Sequence, residues 1–344
     1  MRGRGRTAWL CAGAGAVVLA GLAGVTLGAV SLPPLGVAEA LADHLPGVHD
    51  LSRLDPREAA IVWEIRLPRV VLGLLVGGTL SLAGGCYQGV FRNPLADPYL
   101  LGVAAGAGLG ATVGIVTGVR GIAALPAPLP LFAFAGAVIA VALTYAVGTT
   151  GASRRTPAGL ILAGVAVASF LTALQTYLQQ RHTDQIEAVF TWILGSLATA
   201  GWRDVTLLAP YTAVTAAVAF AYGRTLDVMS VGDDEATSLG LHPQRVRLIL
   251  VVVASLGTAA AVAVSGLIGF VGLIVPHAAR LACGPSYRMI LPMSLLFGGA
   301  FLALADLLGR VALAPAEVPI GVVTAFFGAP FFVAILRTSS RRTA

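Results

Sequence analysis

Lysine is missing altogether: all 22 basic residues of this 344-residue chain are arginine. A GxxxxGK[ST] phosphate loop needs a lysine that reaches the β- and γ-phosphates. The chain therefore carries no such nucleotide site, and any ATPase that drives it lies on another polypeptide. Charge is scarce as well. Charged residues make up 11% of the sequence, against about 25% in a soluble globular domain, which excludes a water-solvated shell around a large core. Cysteine is rare too. Cys11, Cys86 and Cys283 are scattered with no metal or disulfide spacing, and they read as small apolar packers. Neither HExxH, nor GxSxG, nor a His/Cys ligand cluster occurs. No catalytic residue and no metal ligand is expected.

What fills the space is apolar: 57% of residues are hydrophobic and 42 are glycine, a composition that suits membrane helices packed through small residues. The run from the arginine-rich start at Met1–Arg6 to about Val30 is long enough to cross ~30 Å of hydrocarbon. It exceeds the apolar core of a signal peptide and reads as a retained helix with its arginine end inside. Residues 31–61 are polar and are placed outside. Further spans are expected at about Leu67–Val90, in a Gly-dense stretch ending near Thr117, and in one ending near Thr150 after an outer loop at Leu125–Pro130. The remaining spans fall at about Leu160–Leu178, Val205–Tyr222, Leu248–Ser265, the short Ile268–Ala282, Met289–Leu308 and Ile320–Leu336. A short outer helix is expected around Trp192.

Ten spans put both termini on one side. With this topology 14 arginines and 5 acids lie inside, and 8 arginines and 11 acids outside. That agrees with the positive-inside rule and accounts for the net charge of +6 without invoking nucleic acid. No linker or second composition regime appears, so residues 1–344 read as a single all-α polytopic membrane domain. Gly84, Gly106, Gly266 and Gly269 are expected to let helices approach closely.

Ionisable groups near the midplane would mark a proton- or ion-coupled transporter. Asp306 is the one deep candidate, and Arg310 one turn on supplies an i,i+4 partner. His277 stands at a helix break after Pro276, where it can serve as a relay or as a hydrogen-bonding residue. The segment from Leu226 to Pro243 is more informative. Asp233, Asp234 and Glu235 stand where the macrodipole favours acids at a helix start, and Gly240 then Pro243 end that helix. Leu226, Val228, Val231, Ala236 and Leu239 are apolar within this polar connection. Such a helix either presents a docking surface or lies against its own bundle.

Several ordered segments resemble the FecCD family, the permeases of vitamin B12, haem and iron–siderophore ABC importers. They are Arg66-Leu67-Pro68-Arg69, Arg92-Asn93-Pro94-Leu95-Ala96-Asp97-Pro98 with Leu101-Gly102, and Gly266 through His277 with Arg280. Ala305-Asp306 with Arg310, Glu317-Val318-Pro319-Ile320-Gly321 and Gly328-Ala329-Pro330-Phe331-Phe332 complete the pattern.

The resemblance implies a type II ABC importer permease fold: ten transmembrane helices per subunit, paired with a second permease subunit around a central path. It implies an ABC ATPase subunit docked on a cytoplasmic coupling helix at about 232–241, here Gly232, Asp233, Asp234, Glu235, Ala236, Leu239 and Gly240. ATP and Mg belong to that partner, and no cofactor is expected on this chain. The resemblance implies a cytoplasmic gate at Asn93 and Leu95 with Thr156, Pro157 and Ala158. It also implies an extracytoplasmic substrate-binding protein received by Arg66, Arg69 and Arg310. Arginine at an outer edge runs against the positive-inside rule and asks for a reason; pairing with Glu64 or Asp306 is the alternative. The implied location is the inner (cytoplasmic) membrane of a bacterium, among its lipids. The expected cargo is an iron(III)–siderophore or similar chelate, with cobalamin and haem as alternatives and a secondary transporter as a further one.

Overall fold

Inside hydrocarbon, backbone N–H and C=O groups find no water, and a helix satisfies them within its own segment. The computed structural model describes residues 2–28, 32–43, 54–118, 128–149 and 157–340, and its elements are helices throughout. In chain order they are α1 (Arg2–Thr26), α2 (Pro34–Ala42), α3 (Pro56–Ala60), α4 (Leu67–Phe91), α5 (Val103–Val116), α6 (Pro128–Gly148) and α7 (Pro157–Arg181). There follow α8 (Ile186–Ile193), α9 (Trp202–Met229), α10 (Asp233–Ser238), α11 (Pro243–Ser265), α12 (Val271–Cys283), α13 (Tyr287–Val311) and α14 (Ile320–Ser340). Among the described residues seven helical stretches are long and apolar enough to cross a membrane, and α5, α12 and the described part of α14 are shorter apolar helices. These ten correspond to the ten expected spans, and α8 is the short helix around Trp192.

The boundaries differ from expectation in several places. The polar stretch 31–61 contains α2 and α3, and α3 runs through a π-helical turn (Ile61–Arg66) straight into α4. Local capping outweighs polarity here: Asp55 and Glu58 form a capping box with Pro56 at the first helical position. Helix α9 continues past Tyr222 to Met229, because helical hydrogen bonding does not stop where hydrocarbon stops. The outer loop expected at Leu125–Pro130 overlaps the start of α6 at Pro128, and the rest of it lies outside the described residues.

Helix α4 is the centre. It packs against α13, α9, α11 and α12, and 83% of its most apolar window is buried, against 28% for α6, α7 and α9. A helix that is apolar all round belongs in the middle of a bundle. Glycine sets the distances. A Cβ at Gly84 would overlap the carbonyl of Gly272 on α12, and one at Gly106 would overlap that of Gly136 on α6. Gly266 adopts φ +70 against the Trp192 carbonyl. Gly269 corrects the sequence expectation: it meets nothing within 4 Å, because it sits in the connection between α11 and α12 rather than at a helix crossing. Cys86 is buried, Cys283 half-buried and Cys11 exposed, all three free. Packing inside the chain therefore describes Cys86 but not Cys11, which lies on an outward face of α1.

Candidate functional site

The polar groups of interest collect at opposite ends of the bundle. One end is organised by α10. Asp233, Asp234 and Glu235 occupy its first turn, with Gly232 at the N-cap. Its other end closes in a Schellman arrangement: Leu241 N donates to Ala236 O and Gly240 N to Thr237 O, with Gly240 at φ +81, the left-handed conformation that suits glycine. The segment lies against its own bundle by one side. Leu226 and Ala236 are fully buried in the core cluster that includes Phe91 and Val246. Val231 and Leu239 are 72% and 69% exposed. The helix is seated on the bundle through Ala236, and the apolar residues that flank it, Val231 and Leu239, stand in the open.

Asp233 ties this element to its neighbours. Its carboxylate accepts from Arg247 Nη2 at 3.1 Å and lies 3.6 Å from Arg92 Nη2. Arg92 ends α4 in the left-handed region, φ 49, and opens the Asn93-Pro94-Leu95 turn. There Asn93 Oδ1 accepts from Leu95 N at 2.9 Å, and Asn93 N donates back to Gln88 O. Asp97 Oδ1 caps the following 3-10 turn by accepting from Tyr99 N at 2.8 Å. Tyr99 then pins the α11–α12 connection, its hydroxyl donating to Ile268 O and accepting from Ile268 N. Leu95 and Pro94 line a small apolar cleft with Phe270, His277 and Phe331. His277 sets its ring edge-on to Phe331, centroids 6.1 Å apart. Of the other expected gate residues, Pro157 opens α7 and Ala158 is exposed on its first turn, while Thr156 lies outside the described residues.

The opposite end gathers Arg66, Arg69 and Arg310. All three are at least nine-tenths buried, and each has partners in the chain. Arg69 donates to both oxygens of Asp306 at 2.8–3.1 Å and to both of Glu317 at 2.9 and 3.0 Å, the two-pronged geometry that makes guanidinium–carboxylate pairs strong. Arg310 Nε stands 3.1 Å from Asp306 Oδ2, the i,i+4 pair expected from the sequence. Arg310 also donates to Gly24 O, and Arg66 Nη1 to the carbonyls of Val25 and Thr26. These are terminal carbonyls of α1, which have no partner within their own helix. Two of the three arginines thus close the end of α1 while the third joins α4 to α13 and to Glu317. Glu317 lies beyond the spans, and the hydrogen bond from Arg69 holds its carboxyl below the usual carboxylate range. Among the described residues no group of three or more His, Cys, Asp or Glu stands close enough to hold a metal ion.

Sequence reasoning missed three partnerships: Arg247 and Arg92 on Asp233, Glu317 on Arg69, and Tyr99 on Ile268. Glu317 and Arg92 stand inside family-like motifs, but nothing local to them identifies a carboxylate or arginine so distant in sequence.

The FecCD transport family model matches residues 16–338. The chain is 45% identical over 278 residues to the cobalamin import system permease protein BtuC of Halobacterium salinarum, covering 80% of this chain and 73% of that one. It is 36% identical over 301 residues to the Fe(3+)-citrate import system permease protein YfmD of Bacillus subtilis, covering 85% and 88%. It is 35% identical over 325 residues to the ferric enterobactin transport system permease protein FepD of Escherichia coli, covering 94% and 93%. A solved structure described as a metal-chelate type ABC transporter facing inward superposes with a TM-score of 0.82 at 27% identity, covering 96% of this chain and 98% of that one. Matched by the family model over most of its length and similar to these permeases throughout, this chain belongs to the FecCD transport family: it is a multi-pass membrane permease subunit of an ABC importer of the metal-chelate, siderophore or B12 type, and ATP is hydrolysed on a separate subunit.

Proposed function

We propose that this chain, paired with a second permease subunit, forms the path for a large metal chelate handed over by an extracytoplasmic substrate-binding protein. One observation carries this reading. The α10 helix is seated on the bundle through Ala236 with apolar Val231 and Leu239 exposed at its two ends, and an ion pair, Asp233–Arg92, links it to the Asn93–Leu95 turn. A rocking motion imposed on α10 by an ATPase thus has a short mechanical route to that turn. On this reading Gly232, Asp233, Asp234, Glu235, Ala236, Leu239 and Gly240 dock the ATPase, which holds ATP and Mg, and Asn93 and Leu95 narrow the cytoplasmic end with Thr156, Pro157 and Ala158. Both termini are cytoplasmic, in the inner membrane of a bacterium. The experiment is uptake into vesicles holding the chain with its ATPase and binding protein. Uptake requires ATP and the ATPase; uptake driven by an ion gradient without the ATPase is the result that sinks this reading in favour of a secondary transporter.

The rim that receives the binding protein is assigned to Arg66, Arg69 and Arg310. Their in-chain partners make them organisers of that rim rather than free charges, so Arg66→Glu with Arg69→Glu should impair both docking and folding. Recovery of uptake by the opposite reversal in the binding protein supports the docking role. Loss of folded permease with no recovery from any partner change assigns the arginines to the fold alone.

An iron(III)–siderophore is the proposed cargo. The 45% identity to a cobalamin permease favours cobalamin as a second reading. Parallel uptake of labelled ferric siderophore and labelled cobalamin, each challenged with excess of the other, separates the two.

A further inference from the structure

Arg280, in the last turn of α12, forms no ion pair among the described residues. Its bonds run instead to two neighbouring helices. Its Nη2 donates to the Tyr287 hydroxyl on α13 at 3.0 Å and lies 3.4 Å from Gln88 Oε1 on α4. The guanidinium also stands over the Tyr287 ring, 5.2 Å from its centroid, within cation–π reach. Gln88 and Tyr287 are 1% and 3% exposed, and a polar group buried to that degree holds its partners because losing them costs its desolvation.

Each end of this link continues. Behind Tyr287, Asp227 holds the start of α13: its carboxylate accepts from the Tyr287 backbone N–H and, at 2.8 Å, from the Ser286 hydroxyl. Asp227 belongs to the last turn of α9, and Asp233 opens α10 after a short connection. One turn before Asp227 the two helices touch, where a Cβ on Gly223 would meet the Arg288 backbone at 3.5 Å. Behind Gln88, its backbone carbonyl accepts from Asn93 N at 3.2 Å. A chain of polar contacts thus runs Asp227–Tyr287–Arg280–Gln88–Asn93 across α9, α13, α12 and α4. It shares no residue with the Asp233–Arg92 pair, yet both join the neighbourhood of α10 to the same turn. They differ in surroundings: the side chains of Arg92 and Asp233 are 40% and 37% exposed and are screened by water, whereas hydrogen bonds in a buried network are electrostatically stronger.

We infer that Asp227, Tyr287, Arg280 and Gln88 are positioning residues of the transport cycle, a buried relay that carries a displacement at the base of α10 to the Asn93–Leu95 turn. The inference rests on the reading of α10 as the ATPase-docking element. Stability alone does not account for the arrangement. Apolar side chains would hold α12 against α13 without the desolvation cost of a guanidinium, and the buried Nε of Arg280 has no hydrogen-bond partner, a cost that a purely structural contact avoids. Displacement passes between packed helices through contiguous polar networks and rigid elements, and this network begins beside α10 and ends on the backbone of Asn93.

The test uses the complete complex in vesicles, with labelled ferric siderophore and labelled cobalamin as probes. It reads uptake per ATP hydrolysed, beside the melting temperature of the purified chain. Tyr287→Phe keeps the ring and removes only the hydroxyl; uptake per ATP should fall at least fivefold with the melting temperature unchanged. Asp227→Ala should do the same, and if it does not fold, Tyr287→Phe decides alone. Asp227→Asn still accepts from Tyr287 N and can donate to the Ser286 hydroxyl, so it should keep wild-type coupling. Wild-type uptake per ATP in Tyr287→Phe overturns the inference and leaves the docking reading standing. A loss in Asp227→Asn as large as that in Asp227→Ala also overturns it, as does a melting temperature that falls in step with uptake, which assigns the network to the fold alone. Failure of the docking reading has a different mark: the wild-type complex shows no ATP-dependent uptake, or Thr237→Pro leaves coupled hydrolysis normal, and the relay falls with it.

Discussion

Both ends of the bundle gather arginines around a carboxylate, and what surrounds the charge differs. At the Asp306 end, Arg66, Arg69 and Arg310 are buried and meet Asp306, Glu317 and the carbonyls of α1. At the α10 end Arg247 is buried, but Arg92 and Asp233 have side chains 40% and 37% exposed, and apolar Val231 and Leu239 stand in the open. The first arrangement holds three helices together. The second leaves a surface unfinished. Charge buried with matched partners belongs to the fold, because removing one partner strands the other in a medium that cannot solvate it. Charge left half in water contributes little to stability and is available to a partner.

The sharpest way to break this comparison is Asp306→Leu. It removes the carboxylate paired with Arg310 and leaves Arg69 with Glu317 alone, and loss of a buried partner costs about 3–5 kcal/mol, so folded, monodisperse protein should largely disappear. Arg92→Gln at the other end should cost about 0–1 kcal/mol. Similar melting temperatures for the two variants in detergent would erase the distinction between the two ends.

Next in size is Thr237→Pro. Proline in a helix removes a backbone donor and costs about 3 kcal/mol locally, but α10 is six residues long and sits at the edge of the bundle. The chain should still insert, while transport-coupled ATP hydrolysis in the reconstituted complex should fall at least tenfold. Near-normal coupled hydrolysis would remove α10 from the docking role.

A smaller effect separates two glycines of the core. Gly84→Ala drives a methyl into the Gly272 backbone, and overpacking of this kind costs about 1–3 kcal/mol. Gly269→Leu, in open space, should stay within about 0.5 kcal/mol. Thermal unfolding of the two proteins side by side reads the difference directly.

The smallest effect is the titration of Glu317. Arg69 lowers its folded pKa from the ordinary value of 4.5. The stabilisation it gives is complete above that value and is lost as pH falls through the lowered one. The melting temperature of the chain should therefore drop more steeply below about pH 4.5 than that of Glu317→Gln, and the two curves should run parallel from pH 5 to neutrality. A wild-type curve parallel to that of the variant throughout would show that Arg69 does not depend on Glu317.

Local features are legible in the residues themselves. The Asp306–Arg310 pair follows from i,i+4 spacing on one helix. The stop at Gly240 follows from the need for a left-handed residue after α10. The small helix at Trp192 and the capped segment at 232–241 are legible on the same terms, because a cap or a turn is decided by residues a few positions apart. The extension of α4 through α3 is legible in principle in Asp55, Pro56 and Glu58, but the polarity of the surrounding stretch points the other way.

By itself the sequence determined the class. An 11% charge content, ten apolar runs and a total absence of lysine dictate a membrane bundle without a phosphate-loop nucleotide site, since hydrocarbon leaves the backbone few choices. Only the tertiary structure decided which charges are buried and with whom. Arg69 meets Asp306 and Glu317 across 237 and 248 residues, and no periodicity encodes a pairing of that separation. It also decided which glycines are close contacts: Gly84 and Gly269 are the same residue type in glycine-rich surroundings, and only the packing of α12 on α4 makes the first indispensable and leaves the second free.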